Sequence, residues 1–243
     1  SPSRGLGDVY KRQKKMYILG MLVHNKVVIK DMEDKGFEVL KEEDLLSHKI
    51  HLGQNDLVIV RAHGTTKEIY KILDESGCEI FDATCVFVKR IRNALIEAEN
   101  KDNKIIFVGD KNHPEVKGIL SFGNNFEVVA SFEEFLNFKV DSNVNYTLLT
   151  QTTFNKEVFF KIKDYILENY NNIEIFSKIC GATYERQRAV EKLAKECEAI
   201  IIVGDKKSSN SKKLYEISKE INEKSYLIEE IDQLNIDLSL IHI

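Results

Sequence analysis

One seven-residue string occurs twice in this chain, and its repetition limits the possible folds more than any bulk property does. Residues 105–111 read IIFVGDK and residues 200–206 read IIIVGDK, an offset of 95 positions. Cys85 and Cys180 are separated by the same 95 positions, and in both copies the Gly of the string follows its Cys by 24. A polar residue comes four after each Gly: His113 after Gly109, Ser208 after Gly204. A third copy enters part-way, with Gly20 followed four residues later by His24. The pattern also extends forward. His24 to His63 is 39 residues and His113 to Thr152 is 39 residues, and each second member closes an apolar run, VIVRAHG or TLLTQTT. A single repeated string could be a coincidence of strand-turn chemistry, but four shared spacings are hard to explain that way. Self-similarity at a fixed period marks a repeated supersecondary unit. Three related lobes are therefore expected, at 14–84, 85–179 and 180–237, each offering one Cys and two polar residues at the C-terminal ends of strands. Open α/β sheets bind ligands at those ends.

Short β-rich runs alternate with amphipathic helical patterns. Strands are expected at 16–19, 37–40, 57–61, 79–81, 104–108, 127–129, 146–150, 173–176, 199–203 and 225–228, and helices at 67–75, 88–100, 156–168, 184–196 and 212–221. Such alternation predicts an α/β fold with parallel sheets. With two prolines and no Ser/Gly-rich linker, the units should pack into one body. A net charge of -4 and a pI near 5.9 provide no basic field for nucleic acid. The longest run without polar side chains, 16–23, is far below the ~18 apolar residues of a membrane span. No export signal is seen, so a cytoplasmic protein is expected. The four cysteines, at 78, 85, 180 and 197, form no CxxC pair, which argues against a disulfide framework. Residues 1–13 and 238–243 follow neither period and read as non-native flanks.

Three lobes around a common axis would bring three thiolates and six polar groups to one point. Converging thiolates suit a soft-metal site, either zinc or an iron–sulfur cluster. The spacing is not that of a zinc ribbon, which needs close CxxC pairs. His24, His63 and His113 each end a strand. Together with Ser and Asn donors, such residues can grip a phosphate or diphosphate. The SSNS run at 208–211 precedes a helix and could serve the same end, or be a plain N-cap. Glu115, in HPEV at 113–116, is either a proton donor raised by burial or a first-turn partner of the helix dipole.

These residues also carry a resemblance. VHNK (23–26), AHG (62–64), DATC (82–85), GDKNHPEV (109–116), TQTT (150–153), ICGAT (179–183), ERQ (185–187) and SSNS (208–211) occur in the order seen in the LytB family of 4-hydroxy-3-methylbut-2-enyl diphosphate reductases. The resemblance covers roughly 14–237, and eight ordered motifs make it specific. It implies a three-lobed, pseudo-threefold α/β trefoil around a central 4Fe-4S cluster. It also implies the last step of the methylerythritol phosphate route, reductive removal of a hydroxyl from an allylic diphosphate to give isopentenyl and dimethylallyl diphosphates. Carried over by motif, Cys85 and Cys180 hold the cluster. His24, His63, His113, Ser208, Ser209 and Asn210 bind the diphosphate, and Thr183 lies near the substrate. Glu115 delivers a proton through Thr152, and ferredoxin or flavodoxin supplies electrons. The chain departs from the family pattern in three places: the Gly-Phe-Cys-x-Gly-Val motif with the first cluster Cys is absent, the late Ser of the diphosphate grip is absent, and Val86 stands where Pro often follows DATC. Cys78 and Cys197 match no ligand motif and read as core.

Two other readings stay open on the residues alone. One is a zinc hydrolase with His24, His63 and His113 as ligands and Glu115 as base; the other is a non-catalytic anion-binding module. The repeat spacing also places one thiolate before residue 1 and one anion ligand after residue 243, so the chain by itself is expected not to be a competent enzyme.

Overall fold

A computed structural model describes residues 15–20, 26–176 and 181–233. Among these, strands and helices alternate almost throughout. The first sheet holds β1 (Met16–Leu19), β2 (Phe37–Leu40), β3 (Leu57–Val60) and β4 (Glu79–Asp82) in the order β2-β1-β3-β4. The second holds β5 (Lys104–Val108), β6 (Phe126–Val129), β7 (Tyr146–Thr150) and β8 (Ile173–Ile175) in the order β6-β5-β7-β8. The third pairs β10 (Ser225–Ile228) with β9 (Ile200–Val203). Every pairing is parallel. The second sheet thus repeats the strand order of the first, and the third repeats its opening pair, as the sequence spacings require.

Parallel neighbours need a crossover, and helices supply it. They are α1 (Lys26–Asp34), α2 (Glu42–Leu46), α3 (Lys67–Ser76), α4 (Val86–Asn100), α5 (Pro114–Leu120), α6 (Phe132–Asn137), α7 (Lys156–Asn169), α8 (Gly181–Glu196) and α9 (Ser209–Ile221). Their ends follow local chemistry. The Thr66 hydroxyl caps α3 by accepting from Ile69 N, and Gly77 ends that helix in the left-handed region, the usual start and stop signals. Asn155 caps α7 by accepting from Glu157 N at 2.8 Å.

The three sheets are packed by separate apolar clusters. Val88, Ile91 and Leu95 of α4 pack with Phe107 of β5, Val116 and Ile119 of α5, and Leu149 of β7. A second cluster joins Leu19, Val58, Val60, Ile69 and Leu73 under the first sheet. Cys78 belongs to that cluster, whereas Cys197 is exposed, so only the first of the two is core as expected. The path of the chain moves from the first sheet to the second lobe between β4 and α4, because α4 packs on β5, β7 and α5. Between β8 and α8 it moves again, because α8 packs on α9.

Three helices begin two or three residues before their expected starts: α4 at Val86, α8 at Gly181 and α9 at Ser209. Their first turns hold Val, Gly, Ser and Asn, which are weak helix formers, and tertiary contacts override that preference. The helices α1, α2 and α6 are not among the helical stretches named from the sequence, and α5 is anticipated there only as the first turn that would carry Glu115. Three of them, at five to seven residues, are too short to display a 3.6-residue period.

Candidate active site

The loop after β3 carries His63. Gly64 sits at φ +74, and a Cβ there would lie 3.3 Å from Thr84 Cγ2, so both backbone and space require glycine. Arg61 holds the loop from below, donating to Glu42 Oε1 at 2.8 Å and to Gly64 O at 3.2 Å. Thr65 donates to the same Glu42 oxygen at 3.0 Å. So braced, the His63 ring meets His113 edge-on, with centroids 5.5 Å apart.

The DATC turn lies alongside. Burial tends to raise the Asp82 carboxyl, but hydrogen bonds from Thr84 and Lys89 outweigh it and hold the group below its ordinary value. Asp82 accepts from Thr84 N at 3.0 Å and pairs with Lys89 at 2.9 Å. This fixes the turn that delivers Cys85 to the N-cap of α4, where its N–H donates to Ala62 O at 2.9 Å. Cys85 makes no side-chain cap bond. It is half-buried, packs against the second-lobe core and is a free thiol.

Helix α5 places Glu115. His113 is its N-cap, with Nδ1 accepting from Glu115 N at 3.1 Å, and Pro114 takes the first helical position. Because Nδ1 accepts, a neutral His113 carries its proton on Nε2. Glu115 is fully buried. Its Oε1 accepts from Thr152 N at 2.7 Å and its Oε2 from Thr152 Oγ1 at 2.7 Å. Among the described residues no Lys, Arg or His forms an ion pair with it. Burial pushes the carboxyl above its ordinary value, and the two Thr152 bonds oppose that only in part. A helix-dipole partner would sit at the surface, and Glu115 does not. The helix also lies tight against the His63 loop, since a Cβ on Gly118 would come within 3.3 Å of Thr65 O.

The third lobe adds Ser208 as N-cap of α9, its Oγ accepting from Ser211 N at 3.4 Å. Ser209 Oγ lies 2.9 Å from Thr153 Oγ1. Asn210 Oδ1 is buried without a hydrogen-bond partner among the described residues. Thr183 is buried on α8. One turn on, the buried Gln187 reaches Phe154 O at 3.4 Å. Lys156 and Glu191 join the second and third lobes at 2.7 Å. Between these lobes opens a cleft of about 400 Å³ lined by His113, Gln151, Thr153, Ser209, Lys207 and Lys212. The sequence reading missed Gln151, Thr153, Lys207 and Lys212, although the TQTT motif contains the first two. His24 and Cys180 lie outside the described residues. Among the described residues, which include neither His24 nor Cys180, no group of three or more His, Cys, Asp or Glu could hold a metal ion.

The family model of the LytB protein matches residues 6–241. The chain belongs to the LytB family. Its relatives within that family include the 4-hydroxy-3-methylbut-2-enyl diphosphate reductase of Fusobacterium nucleatum, 52% identical over 95% of this chain but only 28% of that protein. The reductase of Caldanaerobacter subterraneus is 34% identical over 94% of this chain and 77% of its own length. Among solved LytB-family structures, the Plasmodium falciparum reductase superposes with a TM-score of 0.82 at 28% identity, covering 93% of this chain and 70% of that one. A second reductase structure, described as the terminal enzyme of the non-mevalonate pathway, gives 0.63 at 32% identity, covering 92% and 78%. No described helix of this LytB-family chain is long and apolar enough to cross a membrane.

Proposed function

We propose that this chain carries the active site of a 4-hydroxy-3-methylbut-2-enyl diphosphate reductase. The observation that carries the reading is Glu115, a fully buried carboxyl clamped by Thr152 beside a cleft that His113 and Ser209 line. The reaction takes two electrons and two protons, breaks the allylic C–O bond, releases water, and leaves isopentenyl or dimethylallyl diphosphate.

The cluster that this family implies is compatible with the one ligand described. Cys85 is a free, half-buried thiol at the N-cap of a helix of 15 residues, and soft thiolate ligands suit iron–sulfur clusters. Cys85 and Cys180 would hold a 4Fe-4S cluster, which when bound supplies electrons and a Lewis-acidic iron. The remaining work falls to the polar residues. His24, His63, His113, Ser208, Ser209 and Asn210 bind the diphosphate as hydrogen-bond donors, with positive charge where a histidine is protonated. Thr183 lines the substrate's carbon skeleton. Burial raises the Glu115 carboxyl; when it carries a proton the bond to Thr152 Oγ1 reverses, Glu115 donates to that oxygen, and the Thr152 hydroxyl passes its own proton to the leaving hydroxyl. The reading entails a pseudo-threefold arrangement of the lobes, a cytoplasmic enzyme, and a donor such as ferredoxin or flavodoxin.

Anaerobic reconstitution tests it, in a version that also carries the third cluster cysteine and the late anion ligand that the repeat spacing places outside this chain. Iron with acid-labile sulfide and substrate-dependent formation of isopentenyl diphosphate are expected; zinc without sulfide would point to the hydrolase instead. Glu115→Gln should keep cluster and diphosphate binding while lowering turnover by ~10²–10⁴, the range for a positioned acid. Near-normal turnover would remove Glu115 from the chemistry. Thr152→Ser, which keeps the hydroxyl, should retain much of the activity that Thr152→Val loses.

A further inference from the structure

The second and third lobes are joined by a run of hydrogen bonds whose direction is fixed at one end. Asp110 N donates to Gln151 Oε1 at 3.1 Å, Gln151 Nε2 donates to Thr153 Oγ1 at 3.0 Å, and Thr153 Oγ1 lies 2.9 Å from Ser209 Oγ. A backbone N–H can only donate, so the Gln151 atom facing Asp110 must be its oxygen. The other end of the amide is then NH₂, which can only donate to Thr153. Thr153 Oγ1, already accepting from Gln151, has a proton to give, and Ser209 Oγ is the acceptor within reach among the described residues. Ser209 is left with its own proton, and it lines the cleft. Gln151 itself is buried, so its orientation is not set by solvent.

We propose that Gln151 is a positioning residue: it sets the direction of this chain so that Ser209 presents a hydrogen-bond donor to an anion in the cleft. The inference rests on reading the cleft as the diphosphate site. It explains why an amide occupies that place. A carboxylate of the same shape would still accept from Asp110, but its second oxygen would demand the Thr153 proton. Ser209 would then donate to Thr153 and offer the anion a lone pair.

Titration calorimetry of inorganic diphosphate into the full chain tests this. Ser209→Ala should weaken binding about tenfold, the effect of one hydrogen bond to a charged acceptor. Gln151→Glu should weaken it by a similar factor, Thr153→Val by a few-fold, and Thr153→Ser, which keeps the relay, hardly at all. Gln151→Glu also adds a charge, and the double variant separates the two effects. If Gln151 acts through Ser209, the glutamate substitution should cost roughly twofold or less once Ser209 is Ala. Equal weakening in both backgrounds would mean simple repulsion and would overturn the proposal. Unchanged binding in Ser209→Ala would instead remove Ser209 from the diphosphate site, and the proposal with it. Should Gln151→Glu fail to fold, as judged by circular dichroism, the Thr153→Val and Thr153→Ser pair decides: equal affinity for the two overturns the relay.

Discussion

Glu115 is buried with two hydrogen bonds from a single threonine and no ion-pair partner among the described residues. A carboxyl whose folded-state value lies above its ordinary one, near 4.5, binds its proton more tightly folded than unfolded. Its contribution to stability is therefore complete below about 4.5 and is lost as pH rises through the folded value. Glu115→Gln removes this dependence, because the amide is neutral throughout and can still accept from Thr152 N. The variant is expected to melt close to the wild type at pH 5 and above it at pH 8. Thermal denaturation at the two values checks this, and a gap that closes as pH rises would contradict the direction of the shift. Turnover should fall with rising pH through the same group, since the acid must hold its proton to donate it. The site was partly legible at this scale. His113 and Thr152 stand out through the shared spacings of 4 and 39, and Glu115 because a carboxylate two residues from a candidate anion ligand needs a reason. Gln151 does not, because an amide that only orients its neighbours has no signature apart from the partners it meets in space.

At the scale of elements, α5 does more than its seven residues suggest. Its first turn carries Glu115, and Gly118 places its backbone against Thr65 O of the His63 loop. Gly118→Val would put branched methyl groups where backbone already sits at 3.3 Å. Overpacking of this kind costs about 1–3 kcal/mol. The expected outcome is a lower melting temperature and a larger loss of diphosphate affinity than the loss of stability alone accounts for, because His63 and His113 are moved apart. Calorimetry and a melting curve on the same variant measure both. Strands are legible to within a residue or two, because β5 and β7 are almost wholly buried and strands buried on both faces read as nearly continuous apolar runs. Helix starts are less so at α4, α8 and α9. Their first turns contain Val86, Gly181 and Ser209, none of them a strong helix former.

Across the whole molecule, the repeated strand order is visible in the sequence as shared spacings, and the individual contacts between lobes are not. Spacing fixes what lies within a unit; contacts such as Lys156 with Glu191 and Lys67 N with Ser121 Oγ at 2.8 Å join residues with no common period. The three sheets are separate: no strand of one pairs with a strand of another among the described residues. Among the described residues, lobes meet through side chains and through backbone outside the strands, as at Lys67 N. Hydrogen exchange should reflect this, with β5 and β7 slowest and β9 faster, since Val203 and Ile201 of β9 face outward.

Sheets that share no ladder also need not form at the same moment. Each lobe's strand–helix–strand units close over short stretches of chain, and local closure is fast, whereas Thr153 meets Ser209 and Lys156 meets Glu191 only once two lobes have found each other. After dilution from denaturant, the far-ultraviolet signal should recover first and diphosphate binding should follow with a measurable lag. In that interval the chain would possess its secondary structure and no site. Simultaneous recovery would mean that docking of the lobes is what allows each to fold. The pocket would then be a product of assembly order as much as of architecture, and a lesion at a lobe boundary would show itself as delay before it showed itself as instability.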